Sequence, residues 1–277
     1  MDAGRRTGVP PHLPLPSLAL CAVILAACGG LTKRGPIDPA LAVFIPPDAV
    51  ALAGVHMDQV RATPLYRMLA ERNRLPRFGQ FDPSGDIHEL LLSSDGKNVL
   101  AIARGDFAPQ NQNEAITLIG KNIALAGSAM AVRAAIEQHK SGVRGAPRDL
   151  ITRADALPAG AQIWAVVAGW PGATPNQLRE MGNLGNLDRV LRLVEGASLT
   201  VALRAGVHAA LTGDSRTEAD AKTLADSLRG LAALARMGVQ RKPDLLRALD
   251  SIQVKQEGRV VQVNVDIAED LAEKLVM

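Results

Sequence analysis

Four times in this chain two short, apolar-rich segments flank a tight turn, and this repetition limits the fold more than any other feature. The pairs are IHELLLSS and NVLAIARG (87–94, 98–105) around Asp95-Gly96, and AITLI and NIALAGS (115–119, 122–128) around Gly120-Lys121. Two more follow: ASLTVALR and GVHAALTG (197–204, 206–213) around Ala205-Gly206, and SIQVKQ and RVVQVNVDI (251–256, 259–267) around Glu257-Gly258. A strand sends successive side chains to opposite faces, and a glycine-containing turn reverses the chain with the twist that hairpins need. The alternation of Val261, Val263, Val265 and Ile267 marks a half-buried strand. Hairpins are antiparallel by construction, so the sequence predicts a largely antiparallel sheet. Strand signals also appear in VALAGVHM (50–57) and QIWAVVAG (162–169).

Helical spacing fills the intervals. Residues 58–72 carry Val60, Leu65, Met68 and Leu69 at helical positions, with Asp58 able to cap the start and Pro64 marking a break or a later start at Thr63. Ser128 opens a helix whose stripe is Ala131, Val132, Ala135 and Ile136. Further helices are expected at 147–156, 175–194, 217–237, 243–250 and 268–276. The segment 217–237 is the strongest. Its stripe is Ala221, Leu224, Ala225, Leu228, Leu231, Ala232 and Ala235; Thr217 caps it, Glu218 stands four before Lys222, and Gly238 stops it.

In order, the second part of the chain reads strand, helix, hairpin, helix, hairpin, helix. The first part reads the same, with the polar loop 106–114 where the middle helix would stand. The reading is an α+β fold, a largely antiparallel sheet or sheets with helices packed on one face, in two tandem β-α-β-β-(α)-β-β-α halves at 40–145 and 146–277. The residue identities of the halves do not align, so two similar arrangements arising by chance remain the alternative.

The N-terminus has another character. Arg5 and Arg6 precede an apolar run from Leu18 to Ala27, too short for the roughly 20 residues a helix needs to cross a bilayer core, but of the length found in secretory signals. Leu25-Ala26-Ala27-Cys28, followed by Gly29, resembles the lipobox of bacterial lipoproteins. The resemblance implies cleavage before Cys28, diacylglycerol on the Cys28 sulfur, and acylation of the new amino group. It also implies outer-membrane sorting where the cell has one, because the retention residue Asp does not follow the cysteine. Residues 1–27 are then a signal peptide and 28–39 a lipid-anchored tether. A cleaved secretory signal with an incidental cysteine, or an uncleaved, weakly hydrophobic tail, is the alternative reading. The folded part resembles uncharacterised bacterial lipoproteins with tandem α+β halves, a likeness that brings no activity with it.

Cleavage would shorten 277 residues to 250 and, by removing Arg5, Arg6 and Asp2, take 31 basic and 28 acidic residues to 29 and 27. So even a charge balance, with no run of five like charges, does not describe a nucleic-acid binder. Cys21 would leave with the signal and Cys28 would carry lipid, so the exported fold has no thiol for a disulfide. With aromatics at 3%, the core is expected from Ala, Leu, Val and Ile.

Residues with chemical potential are scattered. His56, His88, His139 and His208 have no His, Cys or Glu at metal-ligand spacing in the sequence, and structural roles are expected for them. Asp82 and Asp86, in FDPSGDIHE, read first as a turn. GNLGN (182–186) lacks the strand-then-helix setting of a phosphate loop. Trp170, at a strand end, is a contact candidate or an edge-packing residue. No catalytic residue, metal or cofactor is expected. The function read from the sequence is a lipid-anchored envelope protein acting as a binding or interaction module, with the membrane and an envelope protein as partners. A carrier of a lipid or other apolar ligand, and an enzyme with dispersed residues, are the alternatives.

Overall fold

The computed structural model describes residues 35–72, 86–108, 116–142, 145–169 and 192–276. Ten strands form one antiparallel sheet: β1 (Ala51–His56), β2 (Ile87–Ser94), β3 (Val99–Gly105), β4 (Ile116–Ile119), β5 (Ile123–Gly127), β6 (Ile163–Ala168), β7 (Val194–Ala202), β8 (Val207–Ser215), β9 (Gln253–Glu257) and β10 (Val260–Ile267). Their order across the sheet is β4-β5-β3-β2-β1-β6-β7-β8-β10-β9. Every expected hairpin forms. Counting outward from the β1–β6 seam, each half places its strands first, second, third, fifth, fourth.

The helices are α1 (Pro39–Ala42), α2 (Met57–Arg61), α3 (Pro64–Glu71), α4 (Ala129–Ser141), α5 (Arg148–Asp155), α6 (Glu218–Gly238), α7 (Pro243–Asp250) and α8 (Glu269–Val276). Local chemistry explains their starts. Pro64 splits the first expected helix in two, and the Thr63 hydroxyl accepts from Tyr66 N–H at 3.2 Å while donating to Val60 C=O. Ser128 and Thr217 cap α4 and α6 in the same way. The helix expected at 175–194 falls outside the described residues up to 191. Its last residue, Val194, belongs to β7, paired with Ser215 across a register shift. Of the expected tether, residues 35–39 are described and lie on the fold: Ile37 packs on the core, and Asp38 caps α1 and pairs with Arg104.

The fold is α+β around an antiparallel sheet, as the hairpins predict, but its helices do not keep to one face. Consecutive strand residues enter different cores. Leu91, Ile102 and Leu125 pack with Leu52, Trp164, Val166 and with Val132 and Ala135 of α4 and Leu150 and Ala154 of α5. Leu90, Ala103 and Ala124 pack on the opposite face with Met57 and Val60 of α2 and Tyr66 of α3. The first half is therefore covered on both faces. In the second half the first face turns polar: one cross-strand row runs Leu100, Ser93, Leu52, Val166, Ser198, Thr212, Gln262, Lys255. The second face stays apolar, its row running Ala101, Leu92, Ala53, Ala165, Leu199, Leu211, Val263, Val254. There α6 packs Ala221, Leu224 and Ala225 against Val261, Val194 and Val254.

The seam has one strict steric requirement. Gly54 of β1 stands opposite Trp164 of β6, and a Cβ at Gly54 would overlap indole atoms Cε2 and Nε1. The indole is 1% exposed and its N–H has no partner among the described residues, which costs about 1–3 kcal/mol and is offset by the ring's burial. We expect Gly54→Ala to destabilise by about 1–3 kcal/mol through overpacking, and by distinctly less in a Trp164→Leu background. Urea denaturation of the four proteins measures this; equal cost in both backgrounds would show that the indole is not what requires glycine.

Candidate functional site

Because neighbouring strands are antiparallel, the ends of β1, β3, β7 and β10 and the starts of β2, β6 and β8 meet at one end of the sheet. Most of the polar chemistry gathers there. On the first face a register row carries Arg104, Glu89 and His56, continues at the seam with Gln162, and resumes as Ala202, His208 and Asp266. Asp38 completes it. Its Oδ2 lies 2.5 Å from Arg104 Nε, Arg104 Nη2 is 3.8 Å from Glu89, and Glu89 Oε2 is 2.6 Å from His56 Nδ1. A carboxylate holding one ring nitrogen is the arrangement that orients general-base histidines. No hydroxyl or thiol in hydrogen-bond contact with His56 makes the dyad a nucleophile-activating pair among the described residues. Its evident action is to tie β1, β2, β3 and the chain before α1 together.

Gln162, buried at 1% exposure, is the residue of this row that its sequence context left unmarked. Its side-chain N–H donates to Gln59 C=O at 2.8 Å and its Oε1 accepts from Leu203 N–H. Its own backbone bonds His56 N–H and Val201 C=O. One residue thus joins α2, β1 and the end of β7. A glutamine at the first position of an apolar strand was the signal available.

On the other side of β2, His88 stands between two carboxylates. Its Nδ1 is 2.9 Å from Asp58 and its Nε2 is 3.2 Å from Asp106. Arg61 bonds Asp58 and donates to Ile87 C=O, so α2, β2 and the segment after β3 are clasped together. Hydrogen bonds to Asp58 and then Asp106 hold the His88 pKa above its ordinary value, because both ring nitrogens then serve as donors to anions. For Asp58 burial alone would raise the pKa, but hydrogen bonds from His88 and Arg61 outweigh it and lower it.

His208 bonds Asp266 at 2.8 Å, and its pKa is raised by that bond. The pair sits in an open groove of about 340 Å³ floored by Thr200, Ala202, Ala210 and Asn264 and walled by the loop carrying Pro158 and Ala161. A second cleft, of about 220 Å³, lies between the β2–β3 turn and the start of α4. The buried Ser93 hydroxyl lines it without a hydrogen-bond partner among the described residues.

Thus the structure gives three strand histidines carboxylate partners that lie 18 to 58 residues away in sequence. His139, in the last turn of α4, stacks on Phe44 at 4.6 Å between ring centroids. Asp86 contributes its backbone C=O, which accepts from Asp106 N–H at 2.9 Å. Cys28, Asp82, Trp170 and the GNLGN stretch lie outside the described residues. No group of three His, Cys, Asp or Glu among the described residues could hold a metal ion.

The His88 clasp has a calculable sign. A histidine whose pKa is raised by folding contributes stability below its unfolded pKa and loses it as pH rises through the folded value. His88→Gln is therefore expected to cost more stability near about pH 5.5 than near about pH 8.5. Urea midpoints of the native and variant proteins at both pH values check it; a pH-independent difference would contradict the clasp.

No protein-family model matches the chain, and no curated protein matches it significantly. Two solved structures are similar in chain path. Crystal form III of TP0453 aligns at TM-score 0.45 and 8% identity over 86% of this chain and 98% of that one. Crystal form I aligns at TM-score 0.44 and 9% identity over 87% and 96%.

Proposed function

We propose that this chain is an exported bacterial lipoprotein, held by lipid on Cys28, whose ten-stranded sheet serves as a binding or interaction platform in the cell envelope. The observation that carries the reading is Leu25-Ala26-Ala27-Cys28 at the end of the apolar run Leu18–Ala27. Two acyl chains hold a protein at a bilayer stably where one holds it marginally. The described fold begins at Gly35, seven residues after Cys28, and an extended chain of that length reaches at most about 25 Å. Among the described residues no helix is long and apolar enough to cross a membrane. Gly29 favours the outer membrane where one exists. The reading assigns no catalytic role and no cofactor, and no nucleic acid as partner.

The matching strand order of the two halves supports their origin by duplication, with β1 to β5 and β6 to β10 as the copies. A second reading, a carrier for a lipid or other apolar ligand, is favoured by the second sheet face. Its central row includes Ala53, Ala165 and Leu199, all partly exposed, and Leu211 at 39% exposure.

Replacing Cys28 with Ser is expected to abolish labelling by a radioactive fatty acid and to move the protein from the membrane to the soluble fraction. Native protein that takes up no label would end the lipoprotein reading. For the carrier, native mass spectrometry of detergent-free protein should show a lipid-sized adduct; a clean apo mass would leave the platform reading alone.

A further inference from the structure

We infer that the free end of the α6–α7 hairpin is a second membrane contact, one that rests on an anionic lipid surface without spanning it. Large apolar side chains are strongly exposed at few described positions, and the hairpin carries three of them: Leu234 at 64%, Met237 at 66% and Leu245 at 37%. The expected stripe of α6 explains why. Ala221, Leu224 and Ala225 are buried, Leu228, Leu231 and Ala232 are half-buried, and Ala235 is exposed, so the helix progressively leaves the core along its length. Leu234 and Met237 point away from that stripe by helical geometry, so nothing in the fold's own packing requires them to be apolar.

The charge around them is one-sided. Residues 227–247 hold five basic side chains, Arg229, Arg236, Arg241, Lys242 and Arg247, against the single acidic residue Asp244. Arg229 pairs with Asp226 and Arg236 with Asp250. Arg241, Lys242 and Arg247 have no ion-pair partner among the described residues. Exposed leucine and methionine beside unpaired cations are the two components of interfacial binding: apolar side chains enter the headgroup boundary while the cations meet lipid phosphates.

Placement selects the occupant. Arg236 donates to Leu249 C=O and lies 3.5 Å from Ile252 C=O, just before β9, whose first residue pairs with Asn264. The end of α6 therefore sits at the end of the sheet marked by Val265, Ala209, Val201 and Ile163. The first described residues reach that end too: Asp38 pairs with Arg104, in the register row of Glu89 and His56. A lipid on Cys28, within about 25 Å of Gly35, would bring this end of the sheet to the bilayer. The choice of a bilayer rather than another occupant rests on the lipoprotein reading above. Such a contact would orient the sheet on the membrane instead of leaving it to swing on its tether.

The test uses the full chain with Cys21→Ser and Cys28→Ser, so that no lipid can be attached, and with Met237→Cys carrying an environment-sensitive fluorophore. Vesicles of phosphatidylcholine and phosphatidylglycerol in equal parts are expected to shift its emission to the blue. Vesicles of phosphatidylcholine alone should not, nor should either shift the same label at Thr212→Cys on the polar face. Adding Arg241→Glu with Lys242→Glu should weaken the vesicle response by more than about tenfold, since each cation near an anionic surface contributes about fivefold to binding. Unchanged emission with anionic vesicles overturns the inference, as does a shift indifferent to the charge reversal. A shift that grows with protein concentration without vesicles assigns the hairpin to a second copy and overturns it as well. Because the probe lacks Cys28, failure here is distinct from failure of acylation.

Discussion

The indole of Trp164 lying over the bare backbone of Gly54 is the contact on which the rest of the architecture depends. It occupies the place where β1 and β6 pair, the one junction through which two five-stranded sheets become a single sheet of ten. Without that junction each half would present a long unpaired strand edge, a template for association with other chains. The core beneath it is shared: Leu52 and Leu91 come from one side, Trp164 and Val166 from the other, and Leu150 of α5 covers both. With 3% aromatic residues in the chain, one buried tryptophan contributes an unusual share of the packing at this point.

From the seam outward the two faces diverge, and the divergence shapes what each half can do. The first half spends both faces on cores, so its polar groups gather toward the ends of the sheet, the Asp38–Arg104–Glu89–His56 chain and the His88 clasp at one end and the Ser93 cleft with Asp95 and Asn98 at the other. The second half leaves its first face polar and open, with the His208–Asp266 pair set in a groove. Its second face remains apolar beyond the reach of α6. One wet face, one partly exposed apolar face and a basic hairpin are the surfaces that the proposed lipoprotein would offer in the envelope.

Much of this was legible locally. Hairpins follow from alternation and turn glycines within about ten residues, and Pro64 with Thr63 marked the division of α2 from α3. What escaped was long-range. Gly54 and Trp164 lie in the two strands that have no adjacent hairpin partner, so nothing local names their pairing. The carboxylate partners of His56 and His208 are likewise set by register, those of His88 by the packing of α2 and the segment after β3, and their distance in sequence hides them from spacing rules. Helices on both faces had a visible sign: VLAIA in β3 is a continuous apolar run, the pattern of a strand buried twice, rather than an alternating one. The early start of β7 at Val194 depends on an irregular pairing with Ser215 that no residue preference announces.

Hydrogen exchange measured residue by residue on the native protein tests the seam most directly. The central amides of β1 and β6, from Ala53 to Val55 and from Ala165 to Val167, should be among the slowest in the molecule. They should open together with the cores of both halves, as one cooperative unit. Seam amides that exchange well before those in the middle of β3 and β8 would contradict the account, and would show two independent sheets merely in contact.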